Sequence, residues 1–274
     1  YKAEKLVNWD TVLKTAISDL EVDQREMNSK IYYIRYPIDD SSDFITIATT
    51  RPETMLGDTA IAINPKDKRY KQMIGKTASL PLVGRNIPII GDSMVDPEFG
   101  TGCVKITPAH DLNDYEVGIR HNLEVINIMN PDGSISNQAP DKYVGMSRED
   151  ARKEIVNNLK DLGCLTKEED YLHKVGFSER GNVPIEYYLS EQWFLKMKDL
   201  AKPASKAVKD KEINFYPNHW VKTYNHWMDN IQDWCISRQL YWGHQIPVWY
   251  KKGADRTNQE NWYISTTPPS DIKN

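Results

Sequence analysis

Residues 44–58 of the chain read Phe44-Ile45-Thr46-Ile47-Ala48-Thr49-Thr50-Arg51-Pro52-Glu53-Thr54-Met55-Leu56-Gly57-Asp58. Apolar and polar side chains alternate over the first five residues, which predicts a β-strand. Pro52 fixes its own φ angle and disfavours the helical region for Arg51, so we expect the strand to end there. The end of a strand that feeds a loop is where a rigid scaffold presents reactive side chains.

A second polar cluster lies at residues 100–114, which read Gly100-Thr101-Gly102-Cys103-Val104-Lys105-Ile106-Thr107-Pro108-Ala109-His110-Asp111-Leu112-Asn113-Asp114. Lys105 and Thr107 alternate along a predicted strand, so their side chains point to the same side. Asp111 and Asp114 share one face of a predicted helix, and the dipole at its N-terminus is expected to keep both ionised. The two clusters together predict one site built from two strand ends.

Composition sets the broad class. The chain has 274 residues, of which 39% are hydrophobic and 27% charged, so we expect one large domain or two smaller ones with a proper core. The net charge of −4 gives no overall basic footprint of a nucleic-acid binder, although a local basic patch stays open. Three distant cysteines indicate reduced thiols and a cytoplasmic setting. No apolar run is long enough for a membrane span. Because the chain starts at Tyr1, we expect a fragment of a longer protein.

Short apolar runs separated by turn residues dominate residues 30–128 and predict a β-rich, barrel-like core. The predicted strands are residues 31–36, 44–49, 59–63, 87–90, 103–106 and 125–129. Helices are predicted at residues 111–121, with Asp111 as N-cap, and at residues 147–162, between Ser147 and Gly163. Residues 9–20, 190–200 and 203–208 are also interpreted as helical.

The polar residues suit a small zwitterionic substrate. An ionised carboxylate holds an ammonium group or orients a water, and Phe99 offers a flat surface for a base or ring. Plainer interpretations stay open: Asp111 as an N-cap only, Lys105 as a solvated strand residue, Phe99 as core, and the lysines of residues 196–211 as a solvated helix face. His110 with Asp111 and Asp114 supplies possible metal ligands, but too few for a normal site. Cys103 has no identifiable base that would make it a nucleophile.

The motifs taken together strongly resemble the valyl-tRNA synthetase family of class I enzymes. The segments that carry the resemblance are residues 6–10, 15–22, 49–58, 107–118, 189–194 and 236–247. The opening Thr-Thr-Arg-Pro is shared with isoleucyl and leucyl relatives, whereas the continuation through residues 53–58 looks like the valyl branch.

The resemblance implies the editing insertion of that family, a β-barrel-centred module set into a catalytic Rossmann domain. In the family, this module hydrolyses the ester of a valine tRNA that is mischarged with threonine. We therefore expect an α+β fold with a β-barrel-like editing core and surrounding helices at residues 28–185. Residues 1–27 are expected to be a catalytic-domain segment or linker, and residues 186–274 a helical linker and catalytic-domain segment.

The resemblance also implies roles for individual residues. The family's editing pocket falls on Arg51, Thr54, Phe99, Lys105, Thr107, Asp111 and Asp114. Asp114 would hold the substrate ammonium group. Lys105, Thr107 and Asp111 would surround the threonyl hydroxyl and the attacking water, and they form the catalytic set. Arg51 and Thr54 would bind the terminal ribose or the ester region, and Phe99 the terminal adenine. Thr50 is expected to be a further substrate-binding residue.

The chain lacks the His-Ile-Gly-His and Lys-Met-Ser-Lys-Ser signatures of class I enzymes. We therefore expect it not to make an aminoacyl adenylate, whereas the parent enzyme would use ATP and magnesium. We expect no cofactor for editing, and no zinc in the cysteine-free residues 176–182. The expected partner is the 3′ end of the valine tRNA carrying threonine, with no membrane partner and a monomeric protein. Two alternatives stay open: a module that only docks the tRNA 3′ end, and a metal-dependent hydrolase.

Overall fold

The computed structural model describes residues 1–256 and 258–270, and the chain divides into two compact units, residues 1–236 and 237–274. The strands are β1 (Lys2–Asp10), β2 (Thr15–Ile17), β3 (Val22–Pro37), β4 (Phe44–Thr49), β5 (Ala60–Ile63), β6 (Thr77–Ser79), β7 (Asn86–Gly91), β8 (Cys103–Ile106), β9 (Leu165–Ser178), β10 (Glu186–Leu195), β11 (Trp234–Cys235), β12 (Val248–Tyr250) and β13 (Trp262–Ile264). The helices are α1 (Leu112–His121), α2 (Arg148–Asp161), α3 (Lys198–Lys209) and α4 (Trp220–Asp229). The expected α+β, sheet-rich composition is confirmed.

Two sheets of the first unit enclose its main core. One has the strand order β4-β3-β9 and the other the order β6-β7-β5-β8. In β4, Ile45 and Ile47 are fully buried while the residues between and around them are not, as the alternation predicts. Strand β5 is buried at every residue because it lies between parallel β7 and antiparallel β8. Helix α2 adds Ile155 and Leu159 to the same core, and a bridge between Ile38 and Ala78 ties the two sheets together.

The ends of β4 and β8 determine where polar groups collect. The two strands lie side by side across the junction of the two sheets. After β4, a buried 3₁₀ turn at Pro52–Gly57 places the chain over the core, and after β8 the chain enters α1. Polar residues that follow the two strands are therefore brought together.

A third sheet, with the order β11-β10-β1-β2, joins both ends of the first unit. Strand β1 pairs antiparallel with β10 from Lys2 with Trp193 to Trp9 with Glu186. A small core of Val7, Trp9, Ala16, Phe194 and Cys235 lies beside it. Between this sheet and the main core runs a long antiparallel ribbon of β3 and β9 that begins at the pair Val22 and Ser178.

Several predicted elements are confirmed. The strand at residues 44–49 coincides with β4 and that at 103–106 with β8. Helix α1 begins after Asp111, whose side chain caps it, and α2 begins after Ser147. Gly163 follows α2 with a φ of +67°, a conformation that glycine adopts without strain.

Three predicted elements are wrong. Residues 9–20 are not a helix: they belong to β1, β2 and a 3₁₀ turn, because their apolar side chains pair across the third sheet. Residues 190–195 are part of β10, and the helix that follows begins only at Lys198. Residues 125–129 are not a strand, because the N–H of Ile128 donates to His110 and its carbonyl accepts from Ser136.

The second unit contains a short antiparallel hairpin. Strands β12 and β13 pair from Val248 with Ile264 to Tyr250 with Trp262, and the Trp249 indole donates to the Ser265 carbonyl at 2.7 Å. Over the described residues, no helix has the length and apolar character needed to cross a membrane.

Candidate functional site

A cleft of about 250 Å³ opens beside the ends of β4 and β8. Seven of the eight predicted site residues line it, namely Thr50, Arg51, Thr54, Lys105, Thr107, Asp111 and Asp114. Lining residues between 48 and 54 come from the end of β4 and the turn after it, and those between 104 and 114 from β8 and the start of α1. The structure thus brings together polar groups that lie more than 50 residues apart in the sequence, as the 51-residue separation of Lys105 from Thr54 shows.

Phe99 is the predicted residue that does not line the cleft. Its side chain is 64% exposed, so it is not a core residue. The neighbouring Gly100 lies beside Ala48, since a Cβ added to Gly100 would be 3.6 Å from the Cβ of Ala48. Because Ala48 lines the cleft, Phe99 is near its rim and accessible from solvent.

At the floor of the cleft, Lys105 joins a buried network around Asp58. The Lys105 Nζ donates to Thr54 Oγ1 at 2.8 Å, to Asp58 Oδ1 at 3.2 Å and to Thr107 Oγ1. The Thr107 hydroxyl donates to Asp58 Oδ1 at 2.5 Å, and the hydroxyl of Tyr36 donates to Asp58 Oδ2 at 2.7 Å. Lys105 is therefore not a solvated strand residue: its three N–H donors are all used, and its orientation is fixed.

Asp58 and Tyr36 belong to this network but were not among the predicted site residues. Both are fully buried. Burial raises the pKa of Asp58 above its ordinary value, although the Lys105 ammonium group and the hydroxyl donors act to lower it. Asp58 closes the motif at residues 44–58, so the sequence held a signal for it. Tyr36 lies on the neighbouring strand β3, and its participation became visible only with the sheet pairing.

Asp111 and Asp114 have different surroundings. Asp111 caps α1, accepting the backbone N–H groups of Asn113 at 2.8 Å and Asp114 at 3.1 Å. Asp114 is only 7% exposed and accepts the N–H of Thr107 at 2.9 Å. Burial, and then the nearby charge of Asp111, raises the pKa of Asp114 to about 7. Burial therefore opposes the helix dipole, which was expected to keep Asp114 ionised.

Arg51 lies at the wall of the cleft within a set of ion pairs. Its Nη2 donates to Glu186, its Nη1 donates to the His110 carbonyl at 3.2 Å, and its Nε lies 3.5 Å from Glu53 Oε1. Glu53 in turn accepts two hydrogen bonds from Arg152, at 2.8 and 2.7 Å. Burial acts to lower the pKa of Arg51, but the carboxylates of Glu186 and Glu53 raise it above its ordinary value.

His110 and Cys103 are both buried, and His110 also lines the cleft. His110 Nε2 accepts the Ile128 N–H at 3.0 Å, and burial lowers the pKa of His110 well below its ordinary value, so the ring is neutral and engaged. Burial raises the pKa of the Cys103 thiol to about 12, which leaves it un-ionised. Within residues 1–256 and 258–270, no group of three or more His, Cys, Asp or Glu side chains is arranged to hold a metal ion.

The lysine-rich segment forms an exposed helix. In α3, Lys202 pairs with Asp199 at 2.9 Å, and Lys206 pairs with Asp210. The side chains of both lysines are at least 74% exposed. These contacts are those of a solvated helix face.

Comparison with known proteins gives consistent matches. The family model for class I tRNA synthetases (I, L, M and V) matches residues 1–267. A valine–tRNA ligase of Pelagibacter ubique is 62% identical over 256 residues, which cover 93% of this chain and 29% of that protein. A valine–tRNA ligase of Anoxybacillus flavithermus is 53% identical over 275 residues, covering 100% of this chain and 31% of that protein. The chain thus spans less than a third of the length of either relative.

Among solved structures, the chain resembles the leucyl enzyme of Agrobacterium radiobacter in a ternary complex with tRNA and LeuAMS. The identity is 17% and the TM-score 0.41, over 96% of this chain and 34% of that one, a likeness too low to support any conclusion. The assignment comes from the family model and the sequence relatives. Because the model matches nearly the whole length and the relatives are 53–62% identical, the chain belongs to the class I tRNA synthetases of the I, L, M and V group.

Proposed function

We propose that residues 28–185 form the editing domain of a valine–tRNA ligase and hydrolyse the ester of threonyl-tRNA for valine. The cleft beside β4 and β8 is the proposed site, and the two sheets around the main core are the proposed barrel-like editing core. One observation carries the proposal: the buried carboxylate of Asp114 lies in the same small cleft as the hydrogen-bonded Lys105 ammonium and Thr107 hydroxyl groups.

Asp114 suits the ammonium group of an aminoacyl ester. Its Oδ2 accepts the Thr107 N–H, and its carboxylate lines the cleft. A bound ammonium group would offset the charge of Asp111, which is one cause of the raised pKa of Asp114, and would favour the ionised form. A cleft of about 250 Å³ has room for an aminoacyl group, while the nucleotide would extend toward the rim at Phe99.

Thr107 suits recognition of the threonyl hydroxyl. Its oxygen donates to Asp58 and accepts from Lys105, which leaves one lone pair for a hydroxyl of the substrate. A valyl ester has a methyl group at that position and cannot make this additional hydrogen bond to Thr107, at a cost of about 0.5–1.5 kcal/mol. The correct product is therefore cleaved more slowly than the threonyl ester.

Such a second site meets a physical need. An apolar synthetic pocket cannot strongly reject an isostere that only adds a hydroxyl, and valine against threonine is the standard example of that limit. A site that requires the hydroxyl separates the two by a different criterion. In the hydrolysis, water attacks the ester carbonyl, the bond to the ribose oxygen breaks, and that oxygen takes up a proton. The fixed network positions the water and the ester for this step.

We also propose that the parent enzyme ligates valine to its tRNA with ATP and magnesium, in parts of a longer protein. The two flanks of residues 28–185 pair with each other as β1 and β10, which is the geometry expected where a domain is inserted into another. The chain lacks the His-Ile-Gly-His and Lys-Met-Ser-Lys-Ser signatures, so the proposed ligation belongs to other parts of the parent enzyme.

The proposal is tested by measuring the deacylation of valine tRNA charged with threonine or with valine. Both this chain and the full-length parent are assayed. We expect faster cleavage of the threonyl ester. Asp114→Ala should lower kcat/KM on the order of tenfold to a hundredfold, because one charge-assisted contact is lost. Asp150→Ala is the matched control: Asp150 is the third residue of α2, as Asp114 is of α1, but it lies outside the cleft.

The remaining outcomes separate the alternatives. Binding of the tRNA 3′ end without deacylation, in both the chain and the parent, would leave only the docking module. Loss of deacylation on addition of a chelator, restored by a divalent metal, would favour the metal-dependent hydrolase instead.

A further inference from the structure

Glu186 connects the cleft to the sheet that joins the two ends of the first unit. It is the first residue of β10 and lies opposite Trp9 of β1. Its side chain is 8% exposed and accepts from two arginines, Arg51 at the cleft and Arg148 at the start of α2, the latter at 2.8 Å.

The guanidinium of Arg51 is held from three directions. Glu186 holds Nη2 from β10, the His110 carbonyl holds Nη1 from the segment before α1, and Glu53 lies beside Nε. Each η nitrogen carries a second N–H that these contacts do not need. The plane of the guanidinium is fixed by its partners, so those second N–H groups have defined directions.

Glu186 is also the partner that depends on the tertiary fold. Glu53 is two residues from Arg51 in the sequence, whereas Glu186 is 135 residues away. Its position is fixed by the pairing of β10 with β1 and by Arg148 on α2. A shift of the β1–β10 sheet would therefore move the carboxylate and turn the guanidinium that faces the cleft.

We propose that Glu186 is a positioning residue for the editing reaction: it orients Arg51 toward the bound ester and makes hydrolysis depend on the β1–β10 sheet, which lies outside the proposed editing domain. This inference rests on the proposed function. It assigns no direct contact between Glu186 and the substrate.

Glu186→Gln tests the inference, because glutamine keeps the size of the side chain and removes its charge. We expect deacylation of threonyl-tRNA to fall on the order of tenfold in Glu186→Gln. The same substitution in an Arg51→Ala background should cause no further loss, since residues that act as one unit are not additive. Glu191→Gln is the control: Glu191 lies on the same strand, is 42% exposed and pairs with Lys2.

A second measurement does not depend on deacylation activity. In the NMR spectrum, the Arg51 Nη2–H groups should give narrow, slowly exchanging signals in the unmodified chain and in Glu191→Gln, and broadened or fast-exchanging ones in Glu186→Gln. An equal loss of deacylation in both Arg51 backgrounds would overturn the inference and indicate a merely structural role. So would full activity of Glu186→Gln, or an unchanged Arg51 signal. If the unmodified chain and its parent cleave neither ester, the proposed function fails, and the role of Glu186 in editing fails with it.

Discussion

Asp114 accepts the Thr107 N–H in a site where the residue is 7% exposed. Because burial and Asp111 raise the pKa of Asp114 to about 7, its charge changes close to neutral pH. An ammonium group binds the ionised form, so we expect KM for the threonyl ester to rise as the pH falls below about 7. Measuring KM and kcat of the unmodified protein and of Asp114→Asn at several pH values around 7 checks this prediction. A pH-independent KM in the unmodified protein would contradict the assignment.

The same residue affects stability with a defined sign. Between the ordinary value of 3.8 and about 7, the folded state keeps a proton on Asp114 that the unfolded state has lost. The free energy of unfolding therefore decreases as the pH rises through this window, by up to ~1.4 kcal/mol per pH unit. Asp114→Asn removes this decrease. The free energy of unfolding of the variant, relative to that of the unmodified chain, should therefore grow as the pH rises from about 4 to about 7. Urea unfolding at several pH values measures the difference, and a constant difference would be inconsistent with the raised pKa.

Asp58 and Lys105 form a buried ion pair at the floor of the cleft, with a separation of 3.2 Å and side-chain exposures of 0% and 10%. Asp58→Asn leaves the Lys105 charge without its counter-ion, and we expect a loss of about 3–5 kcal/mol in the free energy of unfolding. The double variant Asp58→Asn with Lys105→Met should lose less than the sum of the single variants, because no charge is left unpaired. Denaturant unfolding of the four proteins measures the coupling. Additive losses would show that the two groups do not interact.

At the scale of elements, the first turns of α1 and α2 are built alike but serve different surroundings. Asp111 caps α1 and lines the cleft, whereas Ser147 caps α2 by accepting from the Asp150 N–H at 3.1 Å. Asp111→Ala and Ser147→Ala should each cost about 1 kcal/mol of stability, because each removes one N-cap. Only Asp111→Ala should also change deacylation of threonyl-tRNA. Paired thermal unfolding and deacylation assays check this, and an equal effect of both variants on activity would reduce Asp111 to a cap.

Element boundaries follow from local signals only where those signals are strong. Alternation predicted β4 and β8, and side-chain caps predicted the starts of α1 and α2, because these features act within a few residues. Residues 190–195 of β10 are predicted as part of a helix, because their pairing with β1 spans nearly the whole first unit and leaves no local signal. Residues 125–129 form a short apolar run, which predicts a strand; Ile126, Ile128 and Met129 are indeed buried, but the backbone of Ile128 bonds to His110 and Ser136.

At the scale of the whole molecule, the main core and the small core beside β1 are separate. The main core draws its buried residues from Ile34 to Leu159, whereas the small core combines residues near Val7 with Phe194 and Cys235. We therefore expect residues 22–185, which keep the β3–β9 ribbon and the main core, to fold without β1 and β10 and to unfold cooperatively. Near-UV circular dichroism of this segment measures its fixed tertiary packing, and urea unfolding measures its cooperativity. Absence of fixed tertiary packing would show that the small core is required.

The sequence by itself determined the motif at residues 44–58, the two strands beside the cleft, the N-caps of α1 and α2, and the family to which the chain belongs. These depend on side-chain pattern and spacing, which are local. Only the tertiary structure decided that Asp58 and Tyr36 hold Lys105, that Glu186 holds Arg51, and that Asp114 titrates near neutral pH. Strand pairing brings together residues that are far apart in the chain, and burial sets the strength of their electrostatic interactions. Neither the strand pairing nor the degree of burial can be obtained from the order of the residues alone.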